Sequence, residues 1–356
     1  MSNRFISAIR RATTATRASD PMAATRIIQE ALSGAPQPEA APPRRERLRK
    51  PLREALRTLR EGRGRVGWQL PGAPAPAPAV PHGARFETRS FASAEGARDY
   101  RLYLPADTGA PLRGLVLMLH GCKQNPDDFA AGTGMNALAE RHGLAIAYPG
   151  QTAVENPAAC WNWFRPGDQH RGAGEPAILA GLAQSLATEL GIPPDRIFAA
   201  GLSAGGAMAA VLGAAYPEVF SAVGIHSGLP AGAANDVLSA FAAMRGDPTL
   251  AGPWPSGPGP RTIVFHGSAD ATVAAVNAER IMATAGTGDI ETETGTAPGR
   301  RSYTRTVHRR PDGSTQAELW LVDGAGHAWS GGVAAGSYTD PSGPDASAEM
   351  LRFFLA

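Results

Sequence analysis

Short apolar segments alternate with helix-like segments over most of the chain, and this alternation limits the fold more than any other feature of the sequence. The apolar segments are typical of buried strands, whereas the stretches between them carry apolar residues at helical spacing. Strands at 115–119, 144–148, 197–200, 222–225, 263–265 and 319–322 alternate with helices at 128–142, 175–190, 204–215 and 272–285. This order predicts an α/β fold, in which helices cover both faces of a mostly parallel central sheet.

The first part of the chain differs from the rest in charge and composition. Residues 1–66 contain 15 Lys or Arg against 6 Asp or Glu, about +9, so a total of +2 leaves about −7 on the remainder. Apolar residues at helical spacing, such as Leu52, Leu56 and Leu59, predict helices in this part. A Pro/Ala-rich stretch typical of an extended linker follows. We therefore predict a basic helical extension at 1–70, a linker at 71–84 and an α/β domain at 85–356.

The extension allows two interpretations. Its helices either pack on the α/β domain with a solvated arginine face, or attach the protein to a surface or a partner. Charge alone does not choose among nucleic acid, an anionic membrane surface and an acidic protein. No stretch approaches the roughly 20 apolar residues of a membrane span, and the first residues lack the unbroken apolar core of a secretory signal. We expect a cytoplasmic protein, with secretion as the alternative.

The segment IFAAGLSAGG at 197–206 carries the strongest catalytic signal. A strand-like run leads into G-L-S-A-G, and an alanine-rich helical segment follows. A nucleophile on a tight strand-to-helix turn needs small residues two positions before and after it, and Gly201 and Gly205 supply them. The pattern predicts Ser203 as a nucleophile, with the backbone N–H of Ala204 donating to an oxyanion at the start of the helix.

A second oxyanion donor is predicted after an earlier strand. The run LMLHGC at 117–122 ends an apolar strand in His-Gly, which is how α/β-hydrolase folds build the other half of an oxyanion hole. The backbone N–H of Cys122 is the expected donor. His120 belongs to the same turn and precedes Ser203, so we expect it to support the loop rather than act as a base.

Asp270 and His327 complete the predicted catalytic set, in the chain order Ser, Asp, His that this fold uses. Asp270 follows the apolar strand TIVFHG, and its carboxylate is expected to hold the histidine in its catalytic tautomer. His327 lies in the glycine-rich loop DGAGHAW, and its neutral imidazole can accept the serine proton. Asp323 is a weaker alternative acid. The other histidines, His226 among them, sit at strand ends or lack such a loop.

Two aromatic groups lie near the predicted site: Trp161 and Trp163 in CWNWF, and Trp329 two residues after His327. Exposed aromatic rings would bind an apolar or polymeric acyl chain, whereas ordinary core packing is the alternative. The sequence leaves open whether Cys122 and Cys160 are joined. It contains no H-E-x-x-H motif and no closely spaced Cys/His set, so we expect neither a metal nor a cofactor.

Taken together, the motifs HGCKQN, CWNWF, GLSAGG, HGSADATV and GAGHAWSGG resemble the polyhydroxybutyrate (PHB) depolymerase family of esterases, to which feruloyl and acetylxylan esterases are related. The resemblance covers about residues 86–356. It implies an α/β-hydrolase fold and ester hydrolysis through an acyl-serine on Ser203, with Asp270 and His327. It also implies oxyanion donors at Cys122 and Ala204, a Cys122–Cys160 disulfide, and substrate contact by Trp161 and Trp329.

The chain departs from secreted members of that family, which carry a signal peptide and often further domains after the catalytic one. It is more similar to the intracellular members that degrade polymer granules, so we expect the extension to dock on a granule and expect no nucleic-acid partner. The expected reaction is hydrolysis of poly(3-hydroxybutyrate) or related short-chain polyesters and oligomers. The alternatives are a feruloyl or acetylxylan-type carbohydrate esterase and a granule-associated binding protein with little activity.

Overall fold

The fold was analysed in a computed structural model, which describes residues 78, 80–106, 109–247, 259–284 and 288–356. The predicted extension at 1–70 and most of the predicted linker lie outside these residues. In the described ranges, no helix combines the length and the apolar composition that a membrane crossing requires.

A ten-stranded sheet organises the described part of the chain, in the order β1-β2-β4-β3-β5-β6-β7-β10-β9-β8. Its six central strands are mutually parallel, and an antiparallel pair flanks them on each side. The strands are β1 (Arg85–Ser93), β2 (Gly96–Leu104), β3 (Gly114–Leu119), β4 (Leu144–Pro149), β5 (Ile197–Leu202), β6 (Ala222–His226), β7 (Arg261–Gly267), β8 (Ile290–Thr296), β9 (Ser302–Arg309) and β10 (Thr315–Val322), with a small separate pair, β11 (Trp329–Ser330) and β12 (Thr339–Asp340).

Helices cover both faces of this sheet and divide the core into two layers. One layer contains side chains of α3, α4, α5 and α6, and the other contains those of α1, α2 and α7. The helices are α1 (Pro126–Thr133), α2 (Met135–His142), α3 (Gly174–Leu190), α4 (Ala204–Ala215), α5 (Val237–Met244), α6 (Val276–Met282) and α7 (Ala346–Leu355). The predicted α/β-hydrolase fold with a mostly parallel sheet is therefore confirmed.

The six predicted strands form the parallel centre, but two predicted helices differ from the structure. The helix expected at 128–142 is two helices, because Gly134 has φ 62° and ends α1 before α2 begins. The helix expected from residue 272 begins at Val276. The backbone N–H groups of Thr272 and Val273 donate instead to Asp270 Oδ1, each at 2.9 Å, and form a turn. This turn becomes part of the site described next.

Candidate active site

All parallel strands end at one edge of the sheet, and the predicted catalytic residues follow four of these strand ends. The loop at 120–124 follows β3, Ser203 follows β5, Asp270 follows β7, and His327 follows β10. Since neighbouring parallel strands end side by side, residues far apart in sequence meet at this edge. Ligand sites of open α/β sheets occupy the same position.

Ser203 sits on a turn that only small neighbours permit. Its backbone has φ 57° and ψ −118°, and it joins β5 directly to α4. A Cβ at Gly201 would lie 2.4 Å from the Gly205 backbone, and a Cβ at Gly205 would lie 2.0 Å from Leu119 O. The two glycines therefore allow β5, α4 and β3 to approach so closely. The arrangement is that of a nucleophile elbow, in which a strained serine stands at the sheet edge.

Asp270 and His327 form a direct hydrogen bond at the same edge. His327 Nδ1 lies 2.7 Å from Asp270 Oδ2, and the aspartate side chain is fully buried. Burial opposes ionisation of the carboxyl group, but the hydrogen bonds from His327 and from the backbone of Thr272 and Val273 outweigh it and hold the pKa of Asp270 below its usual value. The carboxylate is thus ionised at neutral pH, and it fixes Nδ1–H so that Nε2 is the acceptor. Asp323, the alternative acid, is exposed to solvent.

The loop after β3 runs past the serine, because a Cβ at Gly121 would lie 3.6 Å from Ser203 Cβ. Gly121 N–H donates to Gln124 Oε1 at 2.9 Å, and Lys123 N–H donates to Ala158 O at 2.9 Å. Within the described residues, the Cys122 N–H between them has no such partner. It can therefore donate to a substrate oxygen, as can the N–H of Ala204 at the start of α4.

The His120 side chain supports this loop through two hydrogen bonds. Its Nδ1–H donates to Gly121 O at 2.8 Å, and its Nε2 accepts the N–H of Gln151 at 3.1 Å. Burial lowers the pKa of His120 to about 4, so the ring is neutral at pH 7. A neutral ring is needed here, since only an unprotonated Nε2 can accept the Gln151 N–H.

Cys122 and Cys160 are joined by a disulfide in the structure. The bond connects the loop after β3 to the segment that precedes Trp161, and Trp161 Nε1–H donates to His120 O at 3.0 Å. Together with the Lys123–Ala158 backbone hydrogen bond, these links hold the predicted oxyanion donor from two sides.

The expectation that three tryptophans contact substrate is wrong for this structure. Trp161 is 0%, Trp163 5% and Trp329 1% exposed, so none presents a ring face to a ligand. Trp329 packs edge-on against Phe129 at 5.4 Å and donates from Nε1 to Ser347 Oγ at 3.0 Å. Aromatic residues beside a catalytic motif are here part of the core that supports the motif.

Sequence reasoning missed two groups that support the site. Asp128 accepts hydrogen bonds from Gln124 Nε2 at 2.9 Å and from Ser337 N–H at 2.8 Å, and so joins the loop after β3 to the segment after His327. His226, at the end of β6, contacts both the serine and the histidine loops. The only available signal was a histidine at the end of an apolar strand. In the described part of the chain, the site included, no cluster of three His, Cys, Asp or Glu residues is arranged to hold a metal ion.

Comparison with known proteins agrees with this geometry. The family profile "Esterase PHB depolymerase" matches residues 98–289, more than half of the chain. The chain belongs to the esterase PHB depolymerase family. The resemblance inferred from the five motifs is thereby confirmed.

Among curated proteins of this esterase type, the chain is 31% identical over 225 residues to poly(3-hydroxyalkanoate) depolymerase C of Paucimonas lemoignei, covering 60% of this chain and 54% of that protein. It is 26% identical over 213 residues to a probable acetylxylan esterase A of Aspergillus fumigatus, covering 54% and 56%. The chain thus spans about half the length of these relatives. An acetyl xylan esterase structure from Aspergillus awamori shares the fold, with a TM-score of 0.58, 20% identity, and coverage of 77% of this chain and 99% of that one.

Proposed function

We propose that the protein is a serine esterase that hydrolyses short-chain polyesters or their oligomers, with poly(3-hydroxybutyrate) as the reference substrate. The observation that carries the proposal is the Asp270–His327 hydrogen bond of 2.7 Å at the sheet edge where Ser203 occupies a nucleophile elbow. The membership of the esterase PHB depolymerase family supports the ester-bond specificity.

The proposed reaction proceeds in two balanced halves. His327 Nε2 takes the Ser203 hydroxyl proton while Oγ attacks the ester carbonyl carbon, and the N–H groups of Cys122 and Ala204 stabilise the oxyanion. Collapse of this intermediate breaks the C–O ester bond, and the protonated histidine gives its proton to the departing alcohol. Water then attacks the acyl-serine by the same route and releases a carboxylic acid. Asp270 stabilises the imidazolium in both halves.

An apolar surface on α5 supports a polyester substrate. Val237, Leu238 and Phe241 are 54%, 80% and 51% exposed, and they lie on neighbouring positions of one short helix. The helix end is joined to the loop that carries Asp270, since Ala274 N–H donates to Met244 O at 2.7 Å. Grouped exposed apolar residues of this kind are typical of surfaces that bind apolar partners. A solid polyester is such a partner, whereas a soluble ester needs no surface beyond the site.

The test of the proposal is the clearing of amorphous poly(3-hydroxybutyrate) granules, with released 3-hydroxybutyrate quantified. We expect clearing by the wild type and by Ser221→Ala, whose serine lies at the opposite edge of the sheet beside Ile197, and no clearing by Ser203→Ala. Absence of clearing by the wild type, together with Ser203-dependent hydrolysis of acetylated xylan, would replace the polyester by a carbohydrate ester. Absence of both, and no labelling by a fluorophosphonate, would favour a binding protein.

Granule association through residues 1–70 is a separate proposal, motivated by the basic charge of that segment and its leucine-lined helix pattern. Granule association fits the expected cytoplasmic location. The Cys122–Cys160 disulfide, in contrast, is typical of oxidising compartments and favours the secreted alternative. Removal of residues 1–70 should abolish co-sedimentation with granules. Unchanged co-sedimentation would contradict the proposal without affecting the esterase assignment.

A further inference from the structure

His226 ends β6 in the middle of the sheet, and its side chain is enclosed, with 1% of the residue exposed. It is not one of the three residues in the proposed reaction. Its backbone nevertheless contacts the segment that carries Ser203, and its ring contacts the segment that carries His327.

The backbone of His226 holds the nucleophile. Its carbonyl oxygen accepts the N–H of Ser203 at 2.9 Å, which extends the β5–β6 pairing by one residue into the elbow. Gly206 lies against the same carbonyl, because a Cβ there would be 3.1 Å from His226 O. The serine backbone and the first turn of α4 are thus both placed relative to His226.

The ring of His226 holds the loop of the catalytic histidine. Its Nε2 accepts the N–H of Ser330 at 2.9 Å, three residues after His327. Its Nδ1 lies 3.2 Å from Ser227 Oγ, so Nδ1–H donates to the hydroxyl and Nε2 stays free to accept. Burial holds the pKa of His226 well below its usual value, which keeps the ring in this neutral form.

Stacking fixes the plane of the ring. The imidazole stacks on Trp329 at 5.0 Å and on Phe265 at 5.8 Å, with interplanar angles of 25° and 15°. Trp329 directly precedes Ser330 and follows His327 by two residues, so the stack and the hydrogen bond hold the same short segment. The other end of the loop is anchored separately, since Ala269 N–H donates to Ala325 O at 3.0 Å.

We propose that His226 is a positioning residue that sets the separation between Ser203 Oγ and His327 Nε2, its carbonyl holding the serine and its imidazole holding the histidine loop. This inference rests on the proposed Ser203–His327 chemistry. A proton transfer between two side chains depends steeply on their separation, and a misplacement of about 1 Å costs on the order of 100-fold in rate. Substitution of a residue that only forms the core would instead change the stability of the fold without a specific loss of kcat.

The test compares two substitutions that each keep a different part of the histidine. His226→Phe keeps an aromatic ring for the stack but leaves the Ser330 N–H without an acceptor, whereas His226→Gln can place its amide oxygen near the former Nε2. With a soluble p-nitrophenyl butyrate substrate, we expect His226→Phe to lower kcat by about 10- to 100-fold with KM changed less than about threefold. We expect His226→Gln to recover most of that loss, and the rate of Ser203 labelling by a fluorophosphonate to follow kcat in both variants.

Trp320→Phe is the matched control, because Trp320 stacks on the opposite side of Phe265 at 5.4 Å and lies in the same buried row. It should lower thermal stability without changing kcat more than about twofold. The inference is overturned if folded His226→Phe retains wild-type kcat, if the change falls on KM alone, or if folded His226→Gln loses as much activity as His226→Phe. Failure of the wild type to be labelled at Ser203 would instead contradict the proposed serine chemistry itself.

Discussion

Protonation of His120 should make the stability of the protein depend on pH in a window that the structure defines. The ring is buried, its Nε2 accepts the Gln151 N–H, and its pKa of about 4 lies below the ordinary value of 6.5. Between these two values the unfolded chain binds a proton that the folded chain does not. The contribution of the neutral His120 ring to the free energy of unfolding is therefore complete above pH 6.5 and is lost as the pH falls towards 4. At about 1.4 kcal/mol per pH unit, the loss amounts to about 3 kcal/mol.

The measurement is the free energy of unfolding from urea titrations at pH 7, 5.5 and 4, for the wild type and for His120→Gln. Burial also lowers the pKa of His226 and His266, so the wild type alone would not isolate one residue. The difference between the two proteins does, and it should shrink by about 3 kcal/mol from pH 7 to pH 4. Parallel curves for the two proteins would refute the reasoning.

Three further outcomes are expected. Asp270→Asn should lower kcat on the order of 10⁴-fold with little change in KM, because the amide no longer fixes the catalytic tautomer; a loss below tenfold would point to another carboxylate. Gly205→Ala should destabilise the fold by about 3 kcal/mol in thermal unfolding, since its Cβ would lie 2.0 Å from a backbone oxygen, whereas Gly167→Ala, which meets open space, should not. Leu238→Glu should slow granule clearing but not the hydrolysis of a soluble ester, and Ile290→Glu, on an edge strand, should affect neither.

The sequence predicts the centre of the fold well and its edges poorly, for a physical reason. Strands β3 to β7 and β10 are buried on one or both faces and therefore read as apolar runs. Strand β8, with the sequence IETETGT, is exposed along almost its whole length and has no apolar run to detect. Its pairing with β9 depends on cross-strand contacts such as Arg309 with Glu291, which no local pattern reveals.

The same distinction applies to the site. Ser203, Asp270 and His327 lie in local patterns that backbone geometry imposes, a glycine-flanked elbow and two loops after apolar strands, and those patterns are visible in the sequence. Whether a tryptophan beside a motif faces substrate or core depends on what packs against it. The contact of His226 with Ser330 spans 104 residues and is equally invisible in the sequence. Positions in the chain thus indicate candidate reacting groups better than they indicate the groups that hold them.

The contact between Gly205 and Leu119 O has a consequence for how such a site can be altered. The corner around Ser203 is assembled from main chain against main chain, so the contacts of Gly201 and Gly205 leave no side-chain volume that a substitution can enlarge or reduce. Changes in substrate range must therefore come from surrounding parts whose side chains are exposed, such as the outward face of α5 and residues 152–155 after β4. An engineer who wishes to retune this protein should randomise those two regions and leave the corner untouched.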